Sequence, residues 1–311
     1  MTYVLCRLPN HVGDCCMCLP ALRLLEASGY TPCLVGKRWA GDLMSGMSWR
    51  FDPIEGHVRE DYGRIRHIVQ NTKATKGLVF PNSFSSALLF RIGRLKTTGL
   101  NTDARGFLLE HKIPEPGKMH EAERFFYVAH EAIKAWGGKP AWDHVPQSLG
   151  LRVLKRHEAA AKNLIQQHGI PDKFVLLAPI ARGTSSDGKT KHWPHFNALC
   201  QPLRDLGYEP IIFPAVREED AVRQACPDAT ILPPTTLGNY AAIAKKARLV
   251  IANDSGISHL AAALGLPQIT LFGVTPTGKA YPWNPYATVL GEEGQWPDVE
   301  TVVSKMTELL K

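Results

Sequence analysis

The stretch Leu249-Val-Ile-Ala-Asn-Asp-Ser-Gly-Ile-Ser-His-Leu-Ala-Ala-Ala-Leu-Gly-Leu-Pro-Gln-Ile-Thr-Leu-Phe-Gly273 reads as a strand, a turn, a short helix and another strand. Leu249 to Ala252 is an unbroken apolar run of the length a strand buried on both faces requires. Leu260 to Leu264 continues an Ala-rich helix that Gly265 and Pro267 stop. Such a succession builds an α/β core on a parallel sheet. Asp254 stands where a helix N-cap belongs. Ser255, Gly256 and Ser258 place small residues and backbone N–H groups at the helix start, where the first amides lack partners and the dipole favours a phosphate. Asp254 is open to two readings here, a cap for its own helix or one wall of an anion site.

Working outward, 311 residues exceed the size at which one core stops growing, which predicts two domains. An apolar content of 44% and a charged content of 21% describe an ordinary globular chain. The net charge of +7 suits an acidic substrate, a nucleic acid or an anionic membrane face, and does not choose among them. Nucleic acid is disfavoured because the basic residues are not interleaved with stacking aromatics. No apolar run reaches about 18 residues, and Tyr3-Val4-Leu5-Cys6 begins a strand where a secretory signal would carry a basic and then an apolar region, so a cytoplasmic location is expected. The seven cysteines, at positions 6, 15, 16, 18, 33, 200 and 226, include a single C-x-x-C spacing with no second pair. Free thiols on buried faces are expected, and a zinc site is not.

In chain order, strands are predicted at Tyr3 to Leu8, Thr31 to Val35, Gly77 to Pro81, Thr97 to Asn101, Phe174 to Ala178, Pro210 to Phe213 and near Thr230. Helices are predicted from Cys15 to about Ala27, after Asn82-Ser83-Phe84-Ser85-Ser86, over Glu121 to Trp136, Leu154 to His168 and Asn239 to Lys246. Segment 50–76 is polar and basic, 102–120 is loop-like, and 137–150 is the most linker-like stretch. From about Asp298 to Leu310, Val299, Val302, Val303, Met306, Leu309 and Leu310 form one apolar helical stripe that must be buried. Each half thus reads as an αβα sandwich.

Two further loops carry chemistry. His11-Val12-Gly13-Asp14 follows the first strand directly, at the carboxyl end where open α/β sheets place ligands. It lacks the GxGxxG fingerprint of a dinucleotide site, and a helix cap is the rival reading of Asp14. Thr184-Ser185-Ser186, with Lys189 and Lys191, offers hydroxyls and ammonium groups able to hold a diphosphate, and Gly183 and Gly188 let the backbone approach. A solvated turn is the rival reading of that loop.

Five motifs occur in order: Gly13-Asp14 followed by Leu19-Pro20-Ala21-Leu22; Asn82 to Leu89; Arg105-Gly106-Phe107-Leu108-Leu109; Lys191-His192-Trp193-Pro194; and Asn253 to Ala263. Together they resemble the ADP-heptose:lipopolysaccharide heptosyltransferases, the family 9 glycosyltransferases, over nearly the whole chain. The resemblance implies a GT-B fold of two Rossmann-like αβα domains facing across a cleft. Residues 1–155 would form an acceptor-binding domain, 156–297 a nucleotide-sugar domain, and 298–311 a helix crossing back to the first domain. It implies inverting, metal-independent transfer of heptose from ADP-heptose, with no cofactor, to the Kdo or first heptose of the lipopolysaccharide inner core. Asp14 matches the family's catalytic aspartate and Lys191 its donor lysine, with Lys189 as a rival. Thr184, Ser185, Ser186, Lys189, Asp254, Ser255, Gly256, Ser258 and His259 would bind the donor. Arg64, Arg66, Arg105 and His120 would face the anionic acceptor. A cytoplasmic monomer with peripheral contact to the inner membrane is the expectation. The rival readings are another GT-B transferase, using a UDP-sugar or modifying a protein, and a non-catalytic nucleotide-binding module.

Overall fold

The computed structural model describes residues 2–181, 188 and 190–311. They form two compact units, Met1–Pro146 and Gln147–Lys311, which divide inside the Gly- and Pro-containing 137–150 stretch. The first unit is built on β1 (Thr2–Arg7), β2 (Tyr30–Gly36), β3 (Arg50–Pro53), β4 (Lys76–Val79), β5 (Lys96–Leu100) and β6 (His111–Ile113), in the order β3-β2-β1-β4-β5-β6. The second carries β7 (Phe174–Ala178), β8 (Glu209–Ile212), β9 (Thr230–Ile231), β10 (Leu249–Asn253), β11 (Gln268–Leu271) and β12 (Ala287–Leu290), in the order β12-β11-β10-β7-β8-β9. Every pairing is parallel. Counted within its own unit, each sheet has the doubly wound order 3-2-1-4-5-6.

The central strands are where the sequence puts them because burial on both faces demands continuous apolar runs: all five residues of β7 and of β10 are buried. β3, β6 and β12, which the sequence reading does not place, are sheet edges, where one side needs no partner and polar residues are tolerated. β3 even carries an Arg50–Asp52 ion pair of 2.8 Å. The polar 50–76 segment also contains α4 (Val58–Thr72), whose buried stripe is Asp61, Ile65, Ile68 and Thr72. Asp61 can lie in that stripe because its carboxylate accepts the N–H groups of Glu55 at 3.0 Å and Gly56 at 2.6 Å.

The single helix predicted from Cys15 to Ala27 is two, α1 (Val12–Met17) and α2 (Leu19–Ala27). Pro20 lacks an N–H, and its ring would collide with the carbonyl four residues earlier, so the chain restarts at Cys18 with the proline in the tolerated first turn of α2. That break leaves Gly13 and Asp14 on a short helix of their own.

In the second unit, α13 (Val299–Leu310) buries Val302, Met306 and Leu310 against Trp193, Phe196, Leu199 and one face of the sheet. Trp193 is 2% exposed and packs edge-on against His195 and Phe196, so it is a core residue. All seven cysteines are free and buried. Among the described residues no helix is long and apolar enough to cross a membrane. Because Met306 is fully enclosed, Met306→Ala should lower the unfolding free energy by about 2–5 kcal/mol in denaturant titrations. A loss below about 1 kcal/mol, the scale of a surface change, would mean that α13 lies outside this core.

Candidate active site

Each sheet reverses winding direction at one place, between β1 and β4 and between β7 and β10. Loops leaving the carboxyl ends of such a strand pair diverge to opposite faces and open a crevice. Asp14 follows β1 and Asp254 follows β10, so each singled-out carboxylate stands at a switch point of its own unit.

Asp14 is the third residue of α1, a half-buried position behind the N-cap His11. His11 makes no side-chain cap, and no described residue hydrogen-bonds or ion-pairs with the Asp14 carboxylate. Burial raises its carboxyl above the usual carboxylate range, while His11 opposes the rise and Glu121 adds to it. Glu121 begins α6 (Glu121–Ala135), whose amino end therefore lies near the Asp14 loop. A carboxylate with a raised pKa and no partner is suited to take a proton from a substrate hydroxyl.

The loop leading to it is pinned from below. Arg7, the last residue of β1 and 2% exposed, donates from Nη2 to Asn10 Oδ1 at 2.7 Å and from Nη1 to the Leu8 carbonyl. Cys15 Sγ donates to the Pro9 carbonyl at 3.3 Å. Sequence reasoning missed Arg7, although a lone charge ending an apolar strand was the available signal.

The predicted acceptor residues separate. Arg64 and Arg66 lie on the exposed face of α4. Arg64 pairs with Asp61 at 3.4 Å and Glu55 at 3.6 Å, and Arg66 reaches the Ile92 carbonyl at 3.4 Å. His120 is buried as the N-cap of α6, its Nδ1 accepting the Ala122 N–H at 3.1 Å while Glu123 returns a bond to its backbone. Arg105 is fully buried. Its Nε donates to Leu100 O at 3.0 Å and its Nη1 to Pro81 O and, at 3.3 Å, to Ser83 O, which ties together the ends of β4 and β5. Burial pushes its pKa down to about 10, still far enough above neutrality to keep the charge.

In the second unit the cap reading of Asp254 gives way. Its backbone N–H still donates to Leu271 O at 3.0 Å, continuing the strand ladder, so α11 (Gly256–Ala263) starts one residue later with Ser255 as N-cap. The Asp254 carboxylate instead takes Lys191 Nζ at 2.9 Å and Thr275 Oγ1 at 2.7 Å, both on Oδ2. A charge-assisted bond to an ammonium outweighs a neutral amide cap. Ser255 Oγ is buried without a hydrogen-bond partner among the described residues. Ser258 is buried and donates to Ser255 O at 2.8 Å, and His259 is buried one residue further along the helix. Gly256, the first helical residue, leaves the backbone bare where the amides lack intrahelical partners.

Asn253, also missed from sequence, holds the arrangement. It is fully buried, donates from Nδ2 to Pro179 O at 2.6 Å and accepts the Trp193 N–H at 2.9 Å on Oδ1. Together with His192, whose Nε2 lies 2.8 Å from Ala181 O, it fixes the chain on the far side of Lys191. Thr184, Ser185, Ser186 and Lys189 lie outside the described residues.

Residues 62–307 match the model of glycosyltransferase family 9 (heptosyltransferase). The chain is 30% identical to lipooligosaccharide heptosyltransferase 2 of Haemophilus influenzae, over 91% of this chain and 86% of that protein. It is 25% identical to lipopolysaccharide heptosyltransferase 2 of Escherichia coli K12 over the same shares. Its fold is similar to that of the solved E. coli ADP-heptose lps heptosyltransferase II, with a TM-score of 0.80 at 24% identity, covering 100% of this chain and 98% of that one.

The raised carboxyl of Asp14 has a consequence for stability. The folded protein holds that proton more tightly than the unfolded chain, so its contribution is present at acid pH and is lost as pH rises through the raised pKa. At neutral pH the ionised group therefore weighs against folding. Asp14→Asn should raise the thermal midpoint at pH 7, and the gain should shrink towards acid pH. A lowered midpoint at pH 7 would reveal a stabilising partner for the carboxylate.

Proposed function

The chain belongs to glycosyltransferase family 9, and we propose as our own reading that it moves heptose from ADP-heptose to the Kdo or first heptose of the lipopolysaccharide inner core, inverting the anomeric centre without a metal ion. The observation that carries the mechanism is the half-buried Asp14 at the first unit's switch point, its carboxylate with no hydrogen-bond or ion-pair partner among the described residues. In this reading the first unit binds the acceptor and the second the donor.

Asp14 takes the proton of an acceptor hydroxyl, a group too weakly acidic to attack unaided, as its oxygen bonds to the anomeric carbon. The bond from that carbon to the β-phosphate oxygen breaks on the opposite face, and the electron pair leaves with ADP. Attack from the face opposite the leaving group inverts the centre. Charge on the departing diphosphate is met by Lys191 and by the first amides of α11, where others would use a cation. An ammonium has three donors, and Asp254 occupies one, leaving two for phosphate oxygens. Asp254 thereby aims Lys191, and Thr275 holds Asp254 in turn. The orphaned Ser255 Oγ supplies a further hydroxyl at the helix start. By sequence, Thr184, Ser185 and Ser186 join this donor site. Arg66, exposed on α4, and Arg64 beside it offer cationic groups to an anionic acceptor.

The test is transfer itself: ADP-heptose with truncated inner-core acceptors, the products weighed by mass spectrometry. Asp14→Asn should lower kcat by about 100- to 10,000-fold, with ADP affinity by calorimetry unchanged. Wild-type activity should fall as pH drops through the raised Asp14 pKa, since only the ionised carboxylate accepts a proton. An Asp14→Asn enzyme within about threefold of wild type, far short of the effect of losing a general base, would remove Asp14 from this role.

Activity should also persist in excess EDTA, while Lys191→Ala should slow transfer severely by leaving the diphosphate uncompensated. A strict need for added magnesium would sink the metal-independent mechanism.

A further inference from the structure

Two aromatic side chains stand exposed at the carboxyl edge of the first unit's sheet. Phe84, 42% exposed, begins α5 (Phe84–Ile92) after β4, and Phe107, 73% exposed, sits in the turn Gly106–Leu108 after β5. Their ring centroids are 5.9 Å apart at an interplanar angle of 53°. Exposed large apolar groups gathered in a pair signal a contact surface, whereas scattered ones are ordinary.

This pair rests on a built support. Arg105, fully buried, bonds the carbonyls of Pro81, Ser83 and Leu100, so the two loops that bear the rings are fixed to each other beneath them. Hydroxyl groups flank Phe84 in the chain: Ser83 Oγ lies 2.8 Å from Ser86 Oγ, and Ser85 Oγ is 3.3 Å from Ser83 Oγ. In the same two loops Asn82 Oδ1 and Thr102 Oγ1 are buried with no hydrogen-bond partner among the described residues. A buried orphan oxygen weakens the fold unless a ligand or water satisfies it.

We propose that Phe84 and Phe107 form a saccharide platform, a subsite for a sugar ring of the acceptor oligosaccharide; this rests on the transferase reading above. A pyranose presents C–H bonds on its faces and hydroxyls at its rim. The negative face of an aromatic ring attracts the former, and the serine hydroxyls suit the latter. An anionic membrane surface fits the patch poorly, because the exposed charges of these neighbouring segments are Asp103, Glu110 and Lys112, which leave no cationic surplus. β4 adjoins β1, and β5 adjoins β4. The platform therefore stands across the first unit's switch-point crevice from the Asp14 loop. The ring held here would be a neighbour of the one whose hydroxyl reacts.

Deacylated inner-core oligosaccharide, ADP, and vesicles of phosphatidylethanolamine and phosphatidylglycerol at 3:1 (an illustrative composition, about one anionic lipid in four) are the probes. In calorimetry the double variant Phe84→Ala/Phe107→Ala should bind the oligosaccharide about tenfold more weakly, a loss on the scale of one or two aromatic contacts. ADP affinity and the thermal midpoint should stay at wild-type values, and Phe107→Trp should bind the oligosaccharide like wild type. Unchanged oligosaccharide affinity in the double variant overturns the proposal, as does a wild-type protein that does not bind the oligosaccharide. Loss of vesicle binding with oligosaccharide affinity intact would make the pair a lipid contact and equally overturn it. A wild-type protein that binds the oligosaccharide through the two rings yet transfers no heptose would defeat the transferase reading and leave the platform standing.

Discussion

Parallel strands joined by right-handed crossovers force the chain to wind outward from one pair of strands in each sheet, and only between that pair do the loops part company. In this protein the pairs are β1 with β4 and β7 with β10. Elsewhere along the sheet edge neighbouring loops fold over the same side and cover one another. At the switch points backbone groups and helix starts stay uncovered, which is why the proposed catalytic carboxylate and the proposed anion-binding helix end can arise there with little further construction. The rest of the site follows from how each unit steadies loops that have lost their neighbours.

The two carboxylates at these points show how setting decides chemistry. Asp14 is half-buried with no hydrogen-bond or ion-pair partner among the described residues, so burial destabilises its charge and makes it a better proton acceptor. Asp254 is more enclosed, yet one oxygen receives both an ammonium and a hydroxyl. Its carboxylate holds Lys191 in place. The same residue type is the proposed base in one unit and an anchor for Lys191 in the other, a division made for Asp254 by partners distant along the chain.

How far the amino-acid sequence discloses this depends on what each feature must satisfy. β7 and β10 were legible because burial on both faces leaves only apolar residues admissible, and the place of Asp14 at a strand's carboxyl end was legible because it follows the first apolar run directly. Edge strands β3, β6 and β12 satisfy no such demand, and Arg50 or His111 can occupy them without penalty. The N-cap was misplaced by one residue because Asp and Ser are both good caps; the choice was made by Lys191, 63 residues away along the chain and invisible to local spacing. Thr275 escaped for the same reason. Arg105 was legible as a motif but not as a buried clamp, since its partners are backbone carbonyls, and those leave no trace in side-chain chemistry.

Backbone carbonyls are also what Arg7 and Asn253 bind, and the three residues together indicate how a doubly wound fold tolerates open loops. Each is buried at a strand's carboxyl end or just beyond it, and each donates to carbonyls in an adjoining segment: Arg7 to Leu8, Arg105 to Pro81, Ser83 and Leu100, Asn253 to Pro179. A carbonyl leaving a sheet has lost its ladder partner and, if it is shielded from water, must find another donor. Arginine and asparagine side chains can supply several donors from one position, so a single buried residue can satisfy a diverging loop and fix its direction. Rigidity of that kind matters most where a side chain must meet a substrate within a few tenths of an ångström. The loops bearing Asp14, Phe84, Phe107 and the chain around Lys191 are among those so braced, so these buried polar groups steady the loops of the proposed site.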